Sequence, residues 1–313
     1  MEVSVMDEMP KIVVIGGPTA VGKTGVTIRV AERIYGEVVN ADSMQIYRYM
    51  NIGTAKPTPE ERRRIAHHMI DVADPDESYD AARFSLEARK AADGVLKRHR
   101  VPLVAGGTGF YIRAFLYGLC DAAPEDPAIR VRLREEAGRS GAESMHRKLA
   151  ACDPEAAGKI HPNDIYRIVR ALEVYETCGI PLTEFRRRHA FADAPYESLS
   201  IVLDMDRTEL YERIDRRVDR MVAEGLAEEV ERLFEMGYDE RLKPMQSLGY
   251  RHMGDYIRGR VDRDTAVETL KRDTRHYAKR QLTWFRKDPQ ALWFSPAQTD
   301  RIAGAIGAFL ERK

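Results

Sequence analysis

The sequence predicts an α/β fold: a P-loop parallel sheet core with helices on both faces and a small all-helical insertion domain. Three observations predict it. A glycine-containing phosphate loop follows an apolar strand near the N-terminus. Short apolar runs then alternate with helical segments, as in a parallel sheet covered by helices. A stretch without any strand pattern, flanked by proline-containing segments, interrupts this alternation.

The strands and helices of the core are predicted from runs of apolar residues and from helical periodicity. The strand candidates are residues 11–15, 37–40, 101–105, 199–205 and 291–294, the last as an edge strand. The main helix candidates are residues 22–35, 81–99, 207–224, 226–236 and 262–287. The core therefore resumes after the interruption.

The interruption contains only helix candidates, at residues 127–139, 144–151 and 164–178. Proline-containing stretches at residues 122–127 and 191–196 flank it. We expect residues 121–195 to form the helical insertion domain, and residues 1–120 and 196–313 to form the P-loop core.

The composition is that of a globular protein, with 313 residues, 43% hydrophobic, and 50 basic and 50 acidic side chains. No apolar run is long enough to cross a bilayer, and residues 1–9 have no secretory or transit signal. Three scattered cysteines without metal-type spacing are typical of reduced thiols: Cys120, Cys152 and Cys178. We therefore expect a cytoplasmic protein with no membrane partner.

The phosphate loop lies between the first predicted strand and the first predicted helix. Its glycines allow backbone N–H groups to turn toward an anion, and the helix adds the positive end of its dipole. Lys23 supplies a mobile charge for the outer phosphates, and the Thr24 hydroxyl can ligate Mg²⁺. The loop does not say what the phosphates are attached to. The predicted phosphate-binding residues are Gly17, Pro18, Thr19, Ala20, Val21, Gly22, Lys23 and Thr24.

A polar cluster directly follows the second predicted strand and contains Asp42, Ser43, Met44 and Gln45. Ligands of parallel α/β sheets gather at the carboxyl ends of strands, so we expect Asp42 to face the phosphate loop. An Asp there can orient Mg²⁺ or accept a proton from a nucleophile. Ser43 and Gln45 can bond to a base edge or to the backbone of a substrate. The alternative is a polar turn that caps a helix.

A glycine-rich cluster, GGTGFY at residues 106–111, ends the third predicted strand. Its glycines permit close backbone approach, and Thr108 can donate to a phosphate or hold the nucleophile. A tight strand-to-helix turn would use the same residues, so both interpretations stay open. No acid stands at the end of this strand, where nucleotide hydrolases carry an Asp that orients Mg²⁺.

The helix predicted at residues 262–287 carries a basic run between positions 271 and 287 in which Asp273 is the only acid. Arginines with an aromatic neighbour suit phosphate backbones and base stacking. The alternative is a solvated helix face, which is the usual explanation of a charge run. The residues predicted to contact a nucleic acid here are Arg275, Lys279, Arg280 and Gln281.

Arg217 and Arg220 lie on the helix predicted at residues 207–224 and could fold over the phosphates. Structural ion pairs with Asp215 and Asp219 are the alternative, and the sequence does not choose between them. Two pairs lack the spacing of a metal site and are assigned to structure: His67 with His68, and Asp71 with Asp74.

Taken together, these segments closely resemble the bacterial tRNA dimethylallyltransferases, also called tRNA isopentenyltransferases. The matching stretches occur in family order and span nearly the whole chain. Those at residues 40–47 (NADSMQIY) and 278–286 (AKRQLTWFR) are specific, whereas the phosphate loop is generic. Residues 51–57, 106–111 and 247–250 also match.

The resemblance implies transfer of a dimethylallyl group from dimethylallyl diphosphate to the exocyclic amine of the adenosine 3′-adjacent to the anticodon of tRNA. The phosphate loop would then hold a prenyl diphosphate in place of a nucleotide. Lys23, Arg217 and Mg²⁺ on Thr24 would take up charge on the departing diphosphate. Asp42 would accept the amine proton, and Thr108 would help to hold the reacting groups.

The resemblance also implies which residues touch the tRNA anticodon stem-loop, and it places several of them in the insertion domain. Eukaryotic members carry a C-terminal zinc finger that this sequence does not show, so a bacterial form without zinc is implied. A monomer is expected. The corresponding positions are Asp42, Ser43, Met44, Gln45, Thr108, Arg130, Tyr166, Arg167, Arg170, Gln246, Gly249, Tyr250 and Arg251.

Two other functions would use the same features. A P-loop small-molecule or nucleotide kinase needs the same loop, with Asp42 as its base, and would transfer phosphate from ATP. A nucleotide-gated RNA-binding module would bind tRNA without forming a modified product. The three hypotheses differ in which group, if any, is transferred to which acceptor.

Overall fold

The computed structural model describes residues 9–118, 126–189 and 194–312 of the chain. It divides into two compact units, one formed by Met1–Leu116 with Pro195–Lys313 and the other by Tyr117–Ala194. Some sequence features lie outside the described residues: the N-terminal residues 1–8, Cys120, the parts of the proline-containing stretches at residues 122–125 and 191–193, and Lys313.

The first unit is built on one six-stranded sheet in which all neighbouring strands are parallel. The five predicted strands are all present, and the last of them lies at an edge as expected. A two-residue strand at the other edge was not predicted, because His67–His68 is not an apolar run. In the order β3-β2-β4-β1-β5-β6, the strands are β1 (Lys11–Gly16), β2 (Gly36–Asn40), β3 (His67–His68), β4 (Val101–Gly106), β5 (Glu197–Leu203) and β6 (Leu292–Phe294).

Helices connect these strands and also build the second unit. The predicted helices of the core are present with ends shifted by one or two residues. The helices are α1 (Lys23–Ile34), α2 (Pro59–Arg64), α3 (Ala81–Lys97), α4 (Gly109–Tyr117), α5 (Pro127–Cys152), α6 (Pro154–Lys159), α7 (Ile165–Cys178), α8 (Leu182–His189), α9 (Arg207–Ala223), α10 (Leu226–Glu235), α11 (Tyr250–Ile257), α12 (Arg263–Phe285) and α13 (Thr299–Leu310).

Both faces of the sheet are covered. Val13 and Ile15 of β1 belong to one apolar cluster with residues of α1 and α13, such as Val30 and Ile302. Since side chains alternate along a strand, the equally buried Ile12 of β1 points to the opposite face. There α3 packs against β2 and β4. The predicted fold class is confirmed.

The second unit is all helical in its described residues. Its longest helix, α5, was predicted as two helices, and Gly141 kinks it with φ +78° between the two predicted segments. Leu133 and Leu149 of α5 pack with Ile168 and Leu172 of α7 in the centre of the unit. This unit therefore has its own apolar core.

The residues assigned to structure from their spacing have structural partners, and His67 Nδ1 lies 2.8 Å from the carbonyl oxygen of Ile65. His68 Nε2 lies 2.7 Å from Glu37 Oε2, and Asp71 pairs with Lys56 at 2.7 Å. Asp74 pairs with Arg48 at 3.0 Å. Within the described ranges, no group of three or more His, Cys, Asp or Glu side chains could hold a metal ion.

The described helices include none with the length and apolar character needed to cross a membrane. Cys152 and Cys178 are free thiols, and burial raises the pKa of Cys152. A low-reactivity thiol is what such burial produces.

Candidate active site

Three of the sequence clusters meet where the central strands of the sheet end, at their carboxyl ends. The phosphate loop follows β1, Asp42 follows β2, and Thr108 follows β4. These strands are parallel neighbours in the order β2-β4-β1, so their carboxyl ends lie side by side. The topology therefore brings together residues that are up to about 90 positions apart in sequence.

The phosphate loop has the backbone geometry of an anion cradle. Gly17 and Gly22 have φ of 147° and 100°, and Ala20 between them has φ of 64°. A Cβ at Gly17 would lie 2.7 Å from the carbonyl oxygen of Leu203, so only glycine fits there. Gly22 is the N-cap of α1, which directs the N–H groups of the first helical turn into the loop.

Lys23 bends back over the loop. Its Nζ donates to the carbonyl oxygens of Gly17 at 3.0 Å and Pro18 at 2.7 Å. Burial lowers the pKa of Lys23 to about 8, the Asp42 carboxylate opposes this shift, and Arg217 adds to it. At neutral pH the side chain is therefore an ammonium held where phosphate oxygens would bind.

Arg217 reaches the same loop from α9. Its Nη1 donates to Thr19 Oγ1 at 3.2 Å. Burial lowers the pKa of Arg217 to about 10, while Asp42 acts to raise it. A partly desolvated guanidinium beside the loop is well suited to bind an anion.

The acids offered as alternative partners of Arg217 are engaged elsewhere. Asp215 pairs with Arg275 at 2.6 Å and Asp219 pairs with Lys271 at 2.8 Å, both on α12. These pairs join α9 to α12. Arg220 is exposed and lies 3.7 Å from Glu224. Of the two arginines proposed as a clamp, the structure brings only Arg217 to the loop.

Asp42 serves the turn and the cavity at the same time. Its Oδ1 accepts from the backbone N–H groups of Met44 at 2.9 Å and Gln45 at 3.3 Å. Its side chain also lines a cavity together with Lys23 and Thr24. In the described part of the chain, no donor occupies Oδ2. One oxygen therefore shapes the turn and the other can meet a substrate.

Thr108 ties the second and third clusters together. Its Oγ1 accepts from Ser43 N at 3.0 Å and donates to Ser43 Oγ at 3.2 Å. A Cβ at Gly106 would lie 2.1 Å from the carbonyl oxygen of Ala41. The tight-turn interpretation thus accounts for the first glycine of this cluster, and Thr108 links the turn to the residue after Asp42.

Gln281 on α12 bridges the phosphate loop and the third cluster. It is 5% exposed. Its Oε1 accepts from Thr19 N at 2.8 Å and its Nε2 donates to Gly107 O at 2.9 Å. One turn further along the helix, Trp284 packs so closely on Gly109 that a Cβ there would lie 2.1 Å from the indole. One face of the basic helix is therefore part of the site's framework.

Comparison with known proteins supplies the family. The sequence model of the IPP transferase family matches residues 45–288, and a model described as isopentenyl transferase matches residues 10–75. A tRNA dimethylallyltransferase from Desulfosudis oleivorans is 52% identical over 284 residues, which cover 91% of this chain and 90% of that relative. The chain belongs to the IPP transferase family. The resemblance carried by the motifs is confirmed, and the chain is a prenyltransferase.

Solved structures of the family agree. The full-length tRNA isopentenylpyrophosphate transferase from Bacillus halodurans is 40% identical, with a TM-score of 0.73 and 97% of each chain covered. A eukaryotic dimethylallyltransferase, solved acting on tRNA, is 29% identical with a TM-score of 0.76, covering 91% of this chain and 74% of that one. The P-loop core and its helical insertion are thus those of the IPP transferase family.

The family residues predicted to touch tRNA differ in their exposure within the core unit. Tyr250 is 1% exposed and donates its OH to Glu229 Oε1 at 2.7 Å. Gly249, with φ of 88°, is the N-cap of α11. Gln246 and Arg251 are exposed, and Arg251 pairs with Asp273 at 3.0 Å. The tRNA contacts of Gln246, Gly249, Tyr250 and Arg251 stay predictions. The buried Tyr250 side chain also supports the protein through its bond to Glu229.

The basic residues of α12 fall into two groups. Lys279 and Arg280 are exposed, and the Arg280 guanidinium lies 5.7 Å from the centre of the Tyr277 ring. Arg275 is partly buried in its pair with Asp215. A solvent-facing basic patch remains on this helix after its internal pairs are made, and we call Lys279 with Arg280 the α12 patch.

The second unit carries four of the predicted tRNA contacts. Burial alone would raise the pKa of Glu173, but Arg130 and Arg170 hold this pKa below its ordinary value. Both guanidinium groups lie 3.0 Å from that carboxylate. Tyr166 is 74% exposed, and Arg167 is exposed and lies 3.3 Å from Asp164. Tyr166 and Arg167 are thus the two that present most surface to a partner.

Two residues of the site were not found in the sequence. Arg213 reaches the phosphate loop: its Nη2 would lie 3.4 Å from a Cβ at Gly22. Arg213 lies one helical turn before Arg217. This i,i+4 spacing could have revealed it. Tyr277 on α12 lies near Asp42; burial first and then that carboxylate raise its pKa. Only tertiary packing relates Tyr277 to the cluster after β2.

Proposed function

We propose that this protein transfers a dimethylallyl group from dimethylallyl diphosphate to the exocyclic amine of the adenosine 3′-adjacent to the anticodon of tRNA. The observation that carries the proposal is that Asp42 lines the same cavity as Lys23 and Thr24 of the phosphate loop. A base and an anion cradle on one cavity suit a reaction in which diphosphate leaves as a nitrogen attacks.

The leaving group is bound by charges fixed before the reaction. The N-terminus of α1, Lys23 and Arg217 converge on the loop, so charge that develops on the departing diphosphate is met at once. The allylic C–O bond breaks and its electron pair leaves with the diphosphate. Such preorganised donors cost no reorganisation at the moment of reaction.

Asp42 Oδ2 is the proposed base. The amine nitrogen forms the new C–N bond, and one of its two protons passes to the Asp42 carboxylate. Thr108, hydrogen-bonded to Ser43 beside Asp42, fixes the position of this turn. The carboxylate then returns the proton to solvent.

The donor set fits a magnesium ion that is shared with the substrate. The Thr24 hydroxyl, a hard oxygen ligand, lines the cavity, and the Asp42 carboxylate on the same cavity is reserved for the amine proton. A magnesium site of this kind takes its other ligands from phosphate oxygens and water. Bound there, Mg²⁺ would neutralise charge on the diphosphate. Thr24 would hold it, and Lys23 would share the same phosphates.

One experiment separates this proposal from its rivals. The protein is incubated with Mg²⁺, unmodified tRNA and dimethylallyl diphosphate labelled in the prenyl group, and the RNA is digested to nucleosides. Label on an adenosine is the expected result. Label from γ-labelled ATP on a small acceptor would support a kinase. Retention of tRNA on the protein without label in the RNA would support a binding module.

The tRNA is proposed to bind the α12 patch and Arg167, whose exposure and charge suit a phosphate backbone, together with the exposed ring of Tyr166. Gln246 and Arg251 are further exposed candidates. A monomer and a cytoplasmic location, where tRNA is found, complete the proposal.

Charge reversal of the α12 patch is expected to weaken tRNA binding. Each lost phosphate contact reduces the slope of log K against log salt by about 0.7 to 0.9. Lys279→Glu with Arg280→Glu should therefore bind tRNA more weakly at low salt and with a flatter salt dependence. Filter binding measures the tRNA affinity at salt concentrations from roughly 50 to 300 mM, a range over which the affinity changes strongly with salt.

A double change on another helix supplies the control for this test. Lys90→Glu with Lys97→Glu makes the same charge change at exposed positions of α3. Equal losses in both double variants would show a general effect of net charge and would count against the α12 patch. Arg275 is left unchanged because its reversal would break the pair with Asp215.

The affinity for prenyl diphosphate is expected to fall above pH 8. Burial lowers the pKa of Lys23 to about 8, so the free protein loses this charge above that pH. Binding of the anionic diphosphate favours the protonated form of Lys23. The protein therefore takes up a proton when it binds diphosphate at pH 8.5. The dissociation constant should rise by up to about tenfold per pH unit above 8.

Calorimetry in two buffers of different ionisation enthalpy measures this proton uptake. In Lys23→Arg the charge persists, so the proton uptake should disappear even if affinity is lower. Proton uptake of the same size in Lys23→Arg would assign the titration to another group.

A further inference from the structure

A buried carboxylate outside the site holds the segment after the Asp42 turn. Glu229 of α10 is 3% exposed. Its two oxygens accept from three successive backbone N–H groups, those of Asn51 at 3.0 Å, Ile52 at 2.9 and 3.0 Å, and Gly53 at 3.1 Å. The Tyr250 OH donates to Oε1 at 2.7 Å. Successive N–H groups that converge on one anion form a backbone nest.

The segment is packed too closely to adopt other conformations easily. A Cβ at Gly53 would lie 2.5 Å from the Tyr250 ring. Thr54 Oγ1 donates to Met50 O at 2.7 Å. Lys56 Nζ, 2.7 Å from Tyr47 O, fixes its other end. Glu229 thus fixes one side of a rigid loop that we call the nest loop, Asn51 to Lys56.

The carbonyl groups of the nest loop determine the orientation of Gln45. Gln45 Nε2 donates to Thr54 O at 3.0 Å and to Ala55 O at 3.2 Å. Both amide hydrogens therefore bond to the loop. Because only the nitrogen can donate to two carbonyl groups, these bonds determine which end of the amide is Nε2 and which is Oε1. Gln45 lines the same cavity as Asp42 and Lys23, and its remaining polar atom is the acceptor Oε1.

We propose that Glu229 is a positioning residue that acts through the nest loop to present the Gln45 Oε1 as a hydrogen-bond acceptor for the substrate amine. This inference rests on the proposed function. The amine has two hydrogens: Asp42 takes the one that is lost, and Gln45 accepts from the one that remains on the nitrogen. An amine is thereby favoured over a carbonyl at the same position, because a carbonyl oxygen would face Oε1 with no donor.

Glu229→Gln keeps the size of the side chain and replaces one oxygen by an NH₂ donor. That donor faces backbone N–H groups, so at least one of them loses its acceptor. We expect kcat/KM for tRNA to fall by about 10- to 100-fold. The dissociation constant of dimethylallyl diphosphate should stay within about twofold, because Gln281 and Arg217 hold the phosphate loop independently.

Glu231→Gln is the matched control, since Glu231 is exposed on the same helix. It should retain wild-type activity. A Glu229→Gln protein that weakens both ligands equally, in step with its thermal midpoint, would show a merely structural role and overturn the proposal.

A double-mutant cycle tests the route through Gln45. If Glu229 acts by orienting Gln45, then Gln45→Ala should make the second substitution nearly silent: the double variant should lose about as much kcat/KM as Gln45→Ala alone. Multiplied losses in the double variant would refute the route. Should Glu229→Gln not fold, Tyr250→Phe replaces it in the cycle, since it removes one donor to Glu229 and keeps the ring.

The wild-type protein distinguishes failure of this inference from failure of the proposed function. No label on tRNA from the wild-type protein would reject the function itself. Label from the wild type together with multiplied losses in the cycle would reject only the role of Glu229.

Discussion

Replacing Asp42 by Asn is expected to lower kcat for prenyl transfer by about 10²- to 10⁴-fold, the usual contribution of a general base. Asn keeps an oxygen at the Oδ1 position, so the bonds from Met44 N and Gln45 N can persist and the turn should survive. What is lost is the charge at Oδ2. Single-turnover transfer to tRNA measures the step directly.

The affinity of the same variant for prenyl diphosphate should not fall, and it should increase slightly. Asp42 acts to raise the pKa of both Lys23 and Arg217, which means that its negative charge lies near the anion site. Removing it removes a repulsion toward diphosphate. A loss of diphosphate affinity equal to the loss of kcat would reject Asp42 as the base.

Asp76→Asn makes the same chemical change at an exposed position and supplies the control. It should leave both kcat and diphosphate affinity unchanged.

Arg217→Gln is expected to reduce kcat/KM for dimethylallyl diphosphate by about 10²- to 10³-fold, the usual range for a donor that stabilises developing negative charge. Arg217 reaches Thr19 of the loop and is only partly exposed, so water replaces it poorly. Part of the loss should appear in kcat, since the charge on diphosphate increases as the C–O bond breaks.

The neighbouring Arg216→Gln is the control for Arg217→Gln. Arg216 is 66% exposed and lies 3.4 Å from Glu212, away from the loop contact that Arg217 makes. If both substitutions had similar small effects, Arg217 would not bind the leaving group. If only the diphosphate affinity changed in Arg217→Gln, it would bind the ground state without stabilising departure.

The core strands and the main helices were predictable because their signals are local. Apolar runs marked β1, β2, β4 and β5, and helical periodicity marked α9 and α12. β3 escaped because a strand of two histidines has no apolar pattern; it forms by pairing with β2. The sequence predicted two helices, at residues 127–139 and 144–151. The chain continues between them as one helix kinked at Gly141, because both segments bury leucines against α7.

The sequence by itself determined the family, the phosphate loop and the carboxylate after β2, since each depends on residue types at short spacing. Only the tertiary structure decided which side chains pair with one another within the chain. It placed Arg217 on the loop, it gave Asp215 to Arg275, and it used Gln281 to join two turns. It also joined Glu229 to a loop about 180 positions away. The physical reason is that parallel strands bring distant turns to one end of the sheet, and desolvation there favours hydrogen-bond partners for most of the buried donors and acceptors.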